Sequence, residues 1–137
     1  MDYFEIKGKN KLFGDITISG AKNAVLPLMA AAILNDRALT ITNVPKLSDS
    51  ITMANLIKGM GGEVSFDSSS IVIDPKNLNT PYAPYELVKT MRASFYVLGP
   101  LVARFGEAKV SLPGGCAWGP RPVDFHIEGL KKLGIDI

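Results

Sequence analysis

An internal repeat constrains the fold of this chain more than any other feature of its sequence. Residues 38–41 align with residues 108–111, and Met60-Gly61 align with Leu133-Gly134, which gives a period of about 70 residues. Each copy has the pattern helix, strand, helix, strand, strand, and such elements need helices packed against a sheet face. The sequence therefore predicts an α/β fold of α+β repeats, the first over residues 21–84 and the second over residues 85–137.

Hydrophobic periodicity and turn residues predict where the elements lie. The first copy is expected to hold a helix at 21–34, a strand at 38–43, a helix capped by Ser48-Asp49, and strands at 63–66 and 70–74. The capped helix has apolar residues at helical spacing and ends at Gly61-Gly62; these residues are Ile51, Ala54, Ile57 and Met60. The second copy is expected to hold a helix at 85–104, a strand at 108–112, a helix at 122–133 and a strand from Gly134.

Both ends of the chain carry further expectations. Residues 4–8 and 14–20 alternate apolar and polar side chains, which predicts a hairpin ahead of the first repeat. The second copy stops where the first has reached Val64, so its last strand lacks a partner. Because an unpaired edge with exposed apolar surface is unusual in a compact unit, we expect the chain to be part of a longer protein.

Composition and charge exclude several classes of function. The 137 residues are 47% apolar, which is enough for a core, and the single cysteine cannot form an intrachain disulfide. The net charge of +2 comes from scattered residues, so nucleic acid is not an expected partner. The longest apolar run, residues 24–34, contains Pro27 and is too short to cross a bilayer. No membrane contact is expected, and a cytoplasmic location is the default.

The cysteine stands in a loop between a predicted strand and a predicted helix, which suggests a chemical role. Cys116 follows Gly114-Gly115 and precedes Arg121, whose fixed positive charge favours a thiolate. Pro122 suits the first position of a helix, and the helix dipole acts in the same direction. One cysteine without a neighbouring base identifies no reaction class, however, and a small residue in a glycine turn is an equally good interpretation.

Two cations elsewhere point to anionic ligands. Lys22, followed by Asn23, begins an apolar helix, where a lysine is unfavourable unless an anion meets it and the free backbone amides. Arg92 stands in an otherwise apolar helix and either points to solvent or serves a charged ligand. A solvated lysine and a solvent-facing arginine remain open as alternatives. His126 is a lone histidine, and such a residue is more often structural than catalytic.

Four blocks of sequence together resemble one family, the UDP-N-acetylglucosamine 1-carboxyvinyltransferases. The blocks are Ser19-Gly20-Ala21-Lys22-Asn23-Ala24, Val88-Lys89-Thr90-Met91-Arg92-Ala93-Ser94, residues 98–104, and Ser111-Leu112-Pro113-Gly114-Gly115-Cys116 with Arg121-Pro122-Val123-Asp124-Phe125-His126. The resemblance covers the whole chain from its first strand. It implies the inside-out α/β barrel of enolpyruvyl transferases, of which this chain would hold about two repeats.

The resemblance also implies a reaction. The 3-hydroxyl of UDP-N-acetylglucosamine attacks C2 of phosphoenolpyruvate, C3 is protonated and phosphate leaves, and no metal or cofactor takes part. Cys116 would be the catalytic proton donor and the thiol that fosfomycin-like epoxides alkylate. The phosphoenolpyruvate-binding residues would be Lys22, Asn23 and Arg121. The residues that bind UDP-N-acetylglucosamine would be Arg92, Arg121, Pro122, Val123, Asp124 and Phe125.

The family's biology and domain structure set the remaining expectations. Such an enzyme begins peptidoglycan precursor synthesis and so serves the cell wall, cell shape and cell division. Residues 1–20 would pack on a second domain, which would supply the aspartate base and a closing arginine. We therefore expect this chain to be inactive without the C-terminal part of the same enzyme. Trp118 and Phe125 are bulkier than the family's usual residues there, which leaves the catalytic identities unchanged.

Two alternative functions stay open. A shikimate-pathway enolpyruvyl transferase would share the fold and phosphoenolpyruvate, but not the block from Pro113 to Asp124. The other alternative is a non-catalytic nucleotide-sugar-binding or structural fragment.

Overall fold

The computed structural model describes residues 3–89, 91–112 and 123–137. The α-helices are α1 (Lys22–Ala31), α2 (Ser48–Gly59), α3 (Tyr85–Val88), α4 (Leu98–Phe105) and α5 (Asp124–Lys132). The strands are β1 (Leu39–Thr42), β2 (Glu63–Asp67), β3 (Ser70–Asp74), β4 (Tyr82–Ala83) and β5 (Lys109–Val110), and two 3₁₀ segments are Ala32–Leu34 and Arg92–Val97. Among the described residues, no helix has both the length and the apolar character that a bilayer span requires.

The first three strands form an antiparallel sheet in the order β1-β3-β2. Ile73 of β3 pairs with Leu39 of β1 and with Val64 of β2, so these three side chains share a face. That face and the helices α1 and α2 enclose one core. Its fully buried side chains include Met29, Ile33, Met53, Leu56, Ile57, Met60, Ile71 and Ile73. The predicted order of helix, strand, helix, strand, strand is confirmed over residues 21–74, whereas the division into two repeats stays a prediction.

The first turn of α2 differs from the prediction. Ile51 is 42% exposed, because on a helical wheel it lies nearly opposite the fully buried Met53. Ser48 is already helical, the N-cap position is Leu47, and no side chain caps the helix. The predicted cap by Ser48-Asp49 is therefore wrong. The helix itself is confirmed, and it stops at Gly59, just before Gly61, which has a φ of 98°.

The helix predicted over residues 85–104 is broken into three pieces. After α3, Met91 takes an extended conformation with φ −148° and ψ 116°, which a continuous helix does not allow. A 3₁₀ segment follows, and α4 begins at Leu98. Pro100 is the third residue of α4, where a missing N–H breaks no helical hydrogen bond; in one long helix it would clash with the preceding turn. Pro100 thus suits the first turn of α4, whereas the extended Met91, nine residues earlier, is what separates α3 from the helical segments that follow.

Two predicted strand regions lack strands in the structure. Residues 3–21 contain no helix or strand before α1, and Phe4 and Phe13 are almost fully exposed. Residues 134–137 likewise form no strand. An isolated hairpin is marginal without a third strand or a helix to pack on, and these segments have no such partner among the described residues. The sequence also did not predict β4, which pairs in parallel with β5 through Tyr82 and Lys109.

Arg104 ties α4 to the first half of the chain. Its guanidinium group donates through Nη1 to the carbonyl oxygens of Ile33 (2.8 Å) and Asn35 (2.7 Å), and through Nη2 to that of Pro75 (3.1 Å). These carbonyls lie at the end of the first 3₁₀ segment and just after β3. One half-buried side chain therefore joins three segments that would otherwise leave polar groups unsatisfied.

Candidate functional site

A cleft of about 240 Å³ opens where several helices begin. α1 begins at Lys22, α2 at Ser48, the second 3₁₀ segment at Arg92 and α5 at Asp124. The residues that line the cleft are Lys22, Asn23, Leu26, Asp49, Met91, Arg92, Ala93, Phe95, Tyr96, Val123 and His126. Because helix N-termini carry free N–H groups and partial positive charge, a cleft among them favours an anionic ligand.

The start of α1 is fixed by a close contact with the turn after β1. The backbone N–H of Gly20 donates to Oδ1 of Asn43 at 3.0 Å, and Asn43 itself takes a left-handed conformation with φ 55°. A Cβ atom at position 20 would lie 1.8 Å from the carbonyl oxygen of Asn43, so only glycine fits there. Ser50, fully buried, donates its hydroxyl to the carbonyl of Pro45 at 3.0 Å and holds the same turn against α2. These contacts set the position of Lys22, two residues after Gly20.

An ion pair joins the first turns of α1 and α2. Nζ of Lys22 lies 2.8 Å from Oδ2 of Asp49, and the two side chains are 46% and 29% exposed. The sequence placed Asp49 at a helix cap and gave it no role in a site. Its carboxylate instead offsets the unfavourable position of a lysine at a helix N-terminus.

Another part of the cleft lining combines a cation with aromatic rings. Arg92 lines it together with Phe95, Tyr96 and His126. The ring of His126 has its centroid 6.0 Å from that of Phe95 and 6.2 Å from that of Tyr96, in tilted and edge-on arrangements. These contacts support a packing role for the histidine, yet its ring also borders the cleft. One sequence signal could have placed His126 in the cleft. Its spacing of three residues from Val123 puts both residues on one helix face.

The described residues bring together four of the predicted site residues, namely Lys22, Asn23, Arg92 and Val123. Asp124 does not line this cleft, and Phe125 borders a separate apolar groove of about 350 Å³ between α4 and α5. The other predicted site residues, Cys116, Arg121 and Pro122, lie outside the described residues, as does Trp118. Asp49, Tyr96 and His126 are the titratable cleft residues that sequence reasoning missed.

The side chains that line the cleft suit an anion better than a metal ion. Lys22 supplies an ammonium group, Arg92 a planar guanidinium group and Asn23 an amide, and these donors suit phosphate and carboxylate oxygens. Within residues 3–89, 91–112 and 123–137, no three His, Cys, Asp or Glu side chains are grouped so that they could hold a metal ion.

Known proteins with similar sequences align with the whole chain. The sequence model of a family described as EPSP synthase (3-phosphoshikimate 1-carboxyvinyltransferase) matches residues 6–137. Two curated relatives, both named UDP-N-acetylglucosamine 1-carboxyvinyltransferase, align over all 137 residues: the protein of Acinetobacter guillouiae is 56% identical and that of Yersinia pestis (strain Pestoides F) 52% identical. The chain spans 33% of the length of each of these relatives.

A solved structure is similar in fold. The enolpyruvyl transferase NikO from Streptomyces tendae matches with a TM-score of 0.64 and 26% identity, over 74% of this chain and 24% of that chain. This likeness, together with the observed helices and strands, confirms the predicted fold class.

Proposed function

Since the chain belongs to the EPSP synthase family, we propose that it is part of an enzyme that transfers the enolpyruvyl group of phosphoenolpyruvate to the 3-hydroxyl of UDP-N-acetylglucosamine. The observation that carries this proposal is the identity of 56% over the entire chain to a relative named for that activity. The description of the family names the shikimate-pathway activity instead. The block from Pro113 to Asp124, which the shikimate enzymes lack, favours the UDP-sugar as acceptor over that alternative.

Lys22 and Asn23 would bind phosphoenolpyruvate at the start of α1. The ammonium group of Lys22 and the amide of Asn23 border the cleft together, where the backbone N–H groups of the first helical turn add partial positive charge. Phosphoenolpyruvate carries a phosphate and a carboxylate, which several fixed donors hold better than one. Arg121 would join them, although it lies outside the described residues.

Arg92 and Val123 would contact UDP-N-acetylglucosamine in the same cleft. The guanidinium group of Arg92 can form a bidentate pair of hydrogen bonds with diphosphate oxygens. Val123, which is 8% exposed, provides a buried apolar contact. Pro122, Asp124 and Phe125 complete the proposed set for this substrate. This assignment gives the start of α1 to phosphoenolpyruvate, and the starts of the second 3₁₀ segment and of α5 to UDP-N-acetylglucosamine.

The chemical step balances with groups from this chain and from the rest of the enzyme. The 3-hydroxyl oxygen bonds to C2 of phosphoenolpyruvate while a proton from Cys116 reaches C3, which becomes a methyl group. One C3 proton then returns to the Cys116 thiolate, the C2=C3 double bond forms again, and the C2–O bond to phosphate breaks so that phosphate leaves. The proton of the hydroxyl goes to a base outside this chain. The biological role would be the first step of peptidoglycan precursor synthesis in the cytoplasm, with Cys116 as the thiol that fosfomycin-like epoxides alkylate.

A hybrid enzyme tests the proposal. Residues 1–137 replace the matching 33% of the Acinetobacter guillouiae relative, and phosphate release from phosphoenolpyruvate is measured with either UDP-N-acetylglucosamine or shikimate 3-phosphate. We expect release with the UDP-sugar only, and none from the 137-residue chain alone. Lys22→Met should lower kcat/KM of the hybrid by about a hundredfold, since it removes a donor to the charged substrate.

Matched variants and alternative outcomes make the test decisive. Lys58→Met, in the last turn of α2, is the control because Lys58 is exposed and does not line the cleft. Release with shikimate 3-phosphate instead would favour the other enolpyruvyl transferase. A folded hybrid without release from either acceptor would contradict both activities and favour a non-catalytic role.

A further inference from the structure

We infer that Asp49 is a positioning residue, whose carboxylate holds the Lys22 ammonium group in the cleft so that the substrate's phosphate or carboxylate meets a preset cation. This inference rests on the proposed function and extends it. Asp49 belongs to none of the sequence blocks that carry the family resemblance, and its place in the site comes from the structure alone.

The geometry leaves Lys22 able to serve both partners. Its ammonium group has three N–H donors, and the contact of 2.8 Å with Oδ2 of Asp49 engages one of them. The other two donors remain for an anion. Without a partner, the flexible four-carbon side chain of Lys22, which is 46% exposed, would sample many rotamers and would lose that freedom only on binding.

The ion pair between Lys22 and Asp49 matters more for the cleft than for the stability of the fold. Lys22 is roughly half-exposed, and ion pairs with that degree of solvent contact contribute little to stability. The core contacts between α1 and α2 are made by apolar side chains such as Leu26 and Met53, which are buried. Loss of the Asp49 carboxylate should therefore leave the chain folded.

Removal of the Asp49 carboxylate either weakens or tightens anion binding, and the direction distinguishes a positioning role from a purely electrostatic one. Asp49 brings a negative charge into a cleft that holds the cations of Lys22 and Arg92. If the carboxylate only reduced the local positive potential, its removal would tighten the binding of phosphoenolpyruvate. If it positions Lys22, its removal weakens binding even though the cleft becomes more positive.

The first experiment uses the 137-residue chain itself. The ¹⁵N signal of the Lys22 ammonium group, assigned by its loss in Lys22→Met, should be observable in the wild-type chain and in Asp36→Asn, whose side chain is exposed and outside the cleft. It should broaden beyond detection in Asp49→Asn, because the ammonium protons then exchange freely with water. Equal signals in Asp49→Asn and the wild-type chain would overturn the inference.

The second experiment measures kinetics in the hybrid enzyme. We expect Asp49→Asn to raise the KM for phosphoenolpyruvate about fivefold, Asp49→Glu to recover part of the loss, and Asp36→Asn to change nothing. In a Lys22→Met background, Asp49→Asn should have no further effect, which a merely structural role would not produce. An active wild-type hybrid whose KM is unchanged or lower in Asp49→Asn rules out positioning, whereas an inactive, folded wild-type hybrid rules out the proposed function.

Discussion

Residues 21–84 and residues 85–137 share a predicted order of elements, yet the structure packs them very differently. In the first part, a three-stranded sheet and two helices enclose side chains such as Ile57 and Ile73, which have no exposed surface. In the second, α5 contains no buried residue, and Phe125 is 86% exposed. An apolar stripe therefore joins the core only where other elements cover it: Leu101 of α4, which contacts the first 3₁₀ segment, is fully buried, whereas α5 is not covered in this way.

The strands account for the difference. The first part forms β2 and β3 as a hairpin of five-residue strands, whereas the described residues of the second part contain only the two-residue β5, paired with the short β4. Without a wide sheet, α5 meets the second 3₁₀ segment and α4 through His126 and the apolar groove beside Phe125. The stability of the chain should accordingly reside in its first part.

The largest expected effect comes from opening the core of the first part. Ile57→Ala should lower the free energy of unfolding by about 2–5 kcal/mol, because it removes fully buried apolar volume and leaves a cavity. Phe125→Ala, which removes a larger side chain from the exposed surface of α5, should change it by less than about 0.5 kcal/mol. Urea denaturation of the 137-residue chain measures both values. Equal losses in the two variants would contradict the comparison.

A smaller effect is expected where the two parts are joined. Arg104→Ala should cost about 1.5–3 kcal/mol of unfolding free energy, since it leaves the carbonyl groups of Ile33, Asn35 and Pro75 without their charged donor. Arg104→Lys should recover only part of this, because an ammonium group lacks the planar fork that reaches several carbonyls. The control is Arg37→Ala at an exposed loop position. An Arg104→Ala variant as stable as the control would mean that the guanidinium contacts do not hold α4 in place.

The elements that sequence predicted correctly are those specified by local chemistry. Gly61-Gly62 follows the end of α2, and the polar residues 67–69 form the turn between β2 and β3. The backbone conformations needed at these positions depend on few neighbouring residues. The break at Met91 and the exposure of Ile51 depend on which faces are covered, and apolar spacing alone does not determine that. The prediction of an N-terminal hairpin was wrong for the same reason, because the alternating sequence pattern specified strands without specifying what they pack on.

The cleft shows the same division between local and tertiary information. Lys22 and Arg92 could be predicted because each is an unusual cation in an apolar helix and each lies in a block shared with a known family. Asp49 could not, because its partner lies 27 positions away in the sequence and only the packing of α1 on α2 brings the two helix starts together. A first-turn aspartate is so common as a helix-stabilising residue that its sequence position suggests nothing else.

The smallest expected effect concerns a second lysine–carboxylate pair, in which Lys89 follows α3 and Glu86 lies within it. The hydrogen bond from Lys89 to Glu86 raises the pKa of the lysine, but the Glu86 side chain is 75% exposed, against 29% for Asp49 in the cleft. Because the folded-state pKa of Lys89 is raised, any stabilisation by this ion pair is complete below the unfolded-state pKa of lysine and is lost as pH rises through the folded-state value.

At neutral pH, the melting temperature of Glu86→Gln should therefore be almost equal to that of the wild-type chain. The small remaining difference in melting temperature should vanish at strongly alkaline pH. Thermal melts of this variant beside Glu107→Gln, which alters another exposed carboxylate, check this expectation. A clear loss of stability confined to Glu86→Gln at neutral pH would show that surface charge pairs hold the second part together, and that its weak core is compensated by them.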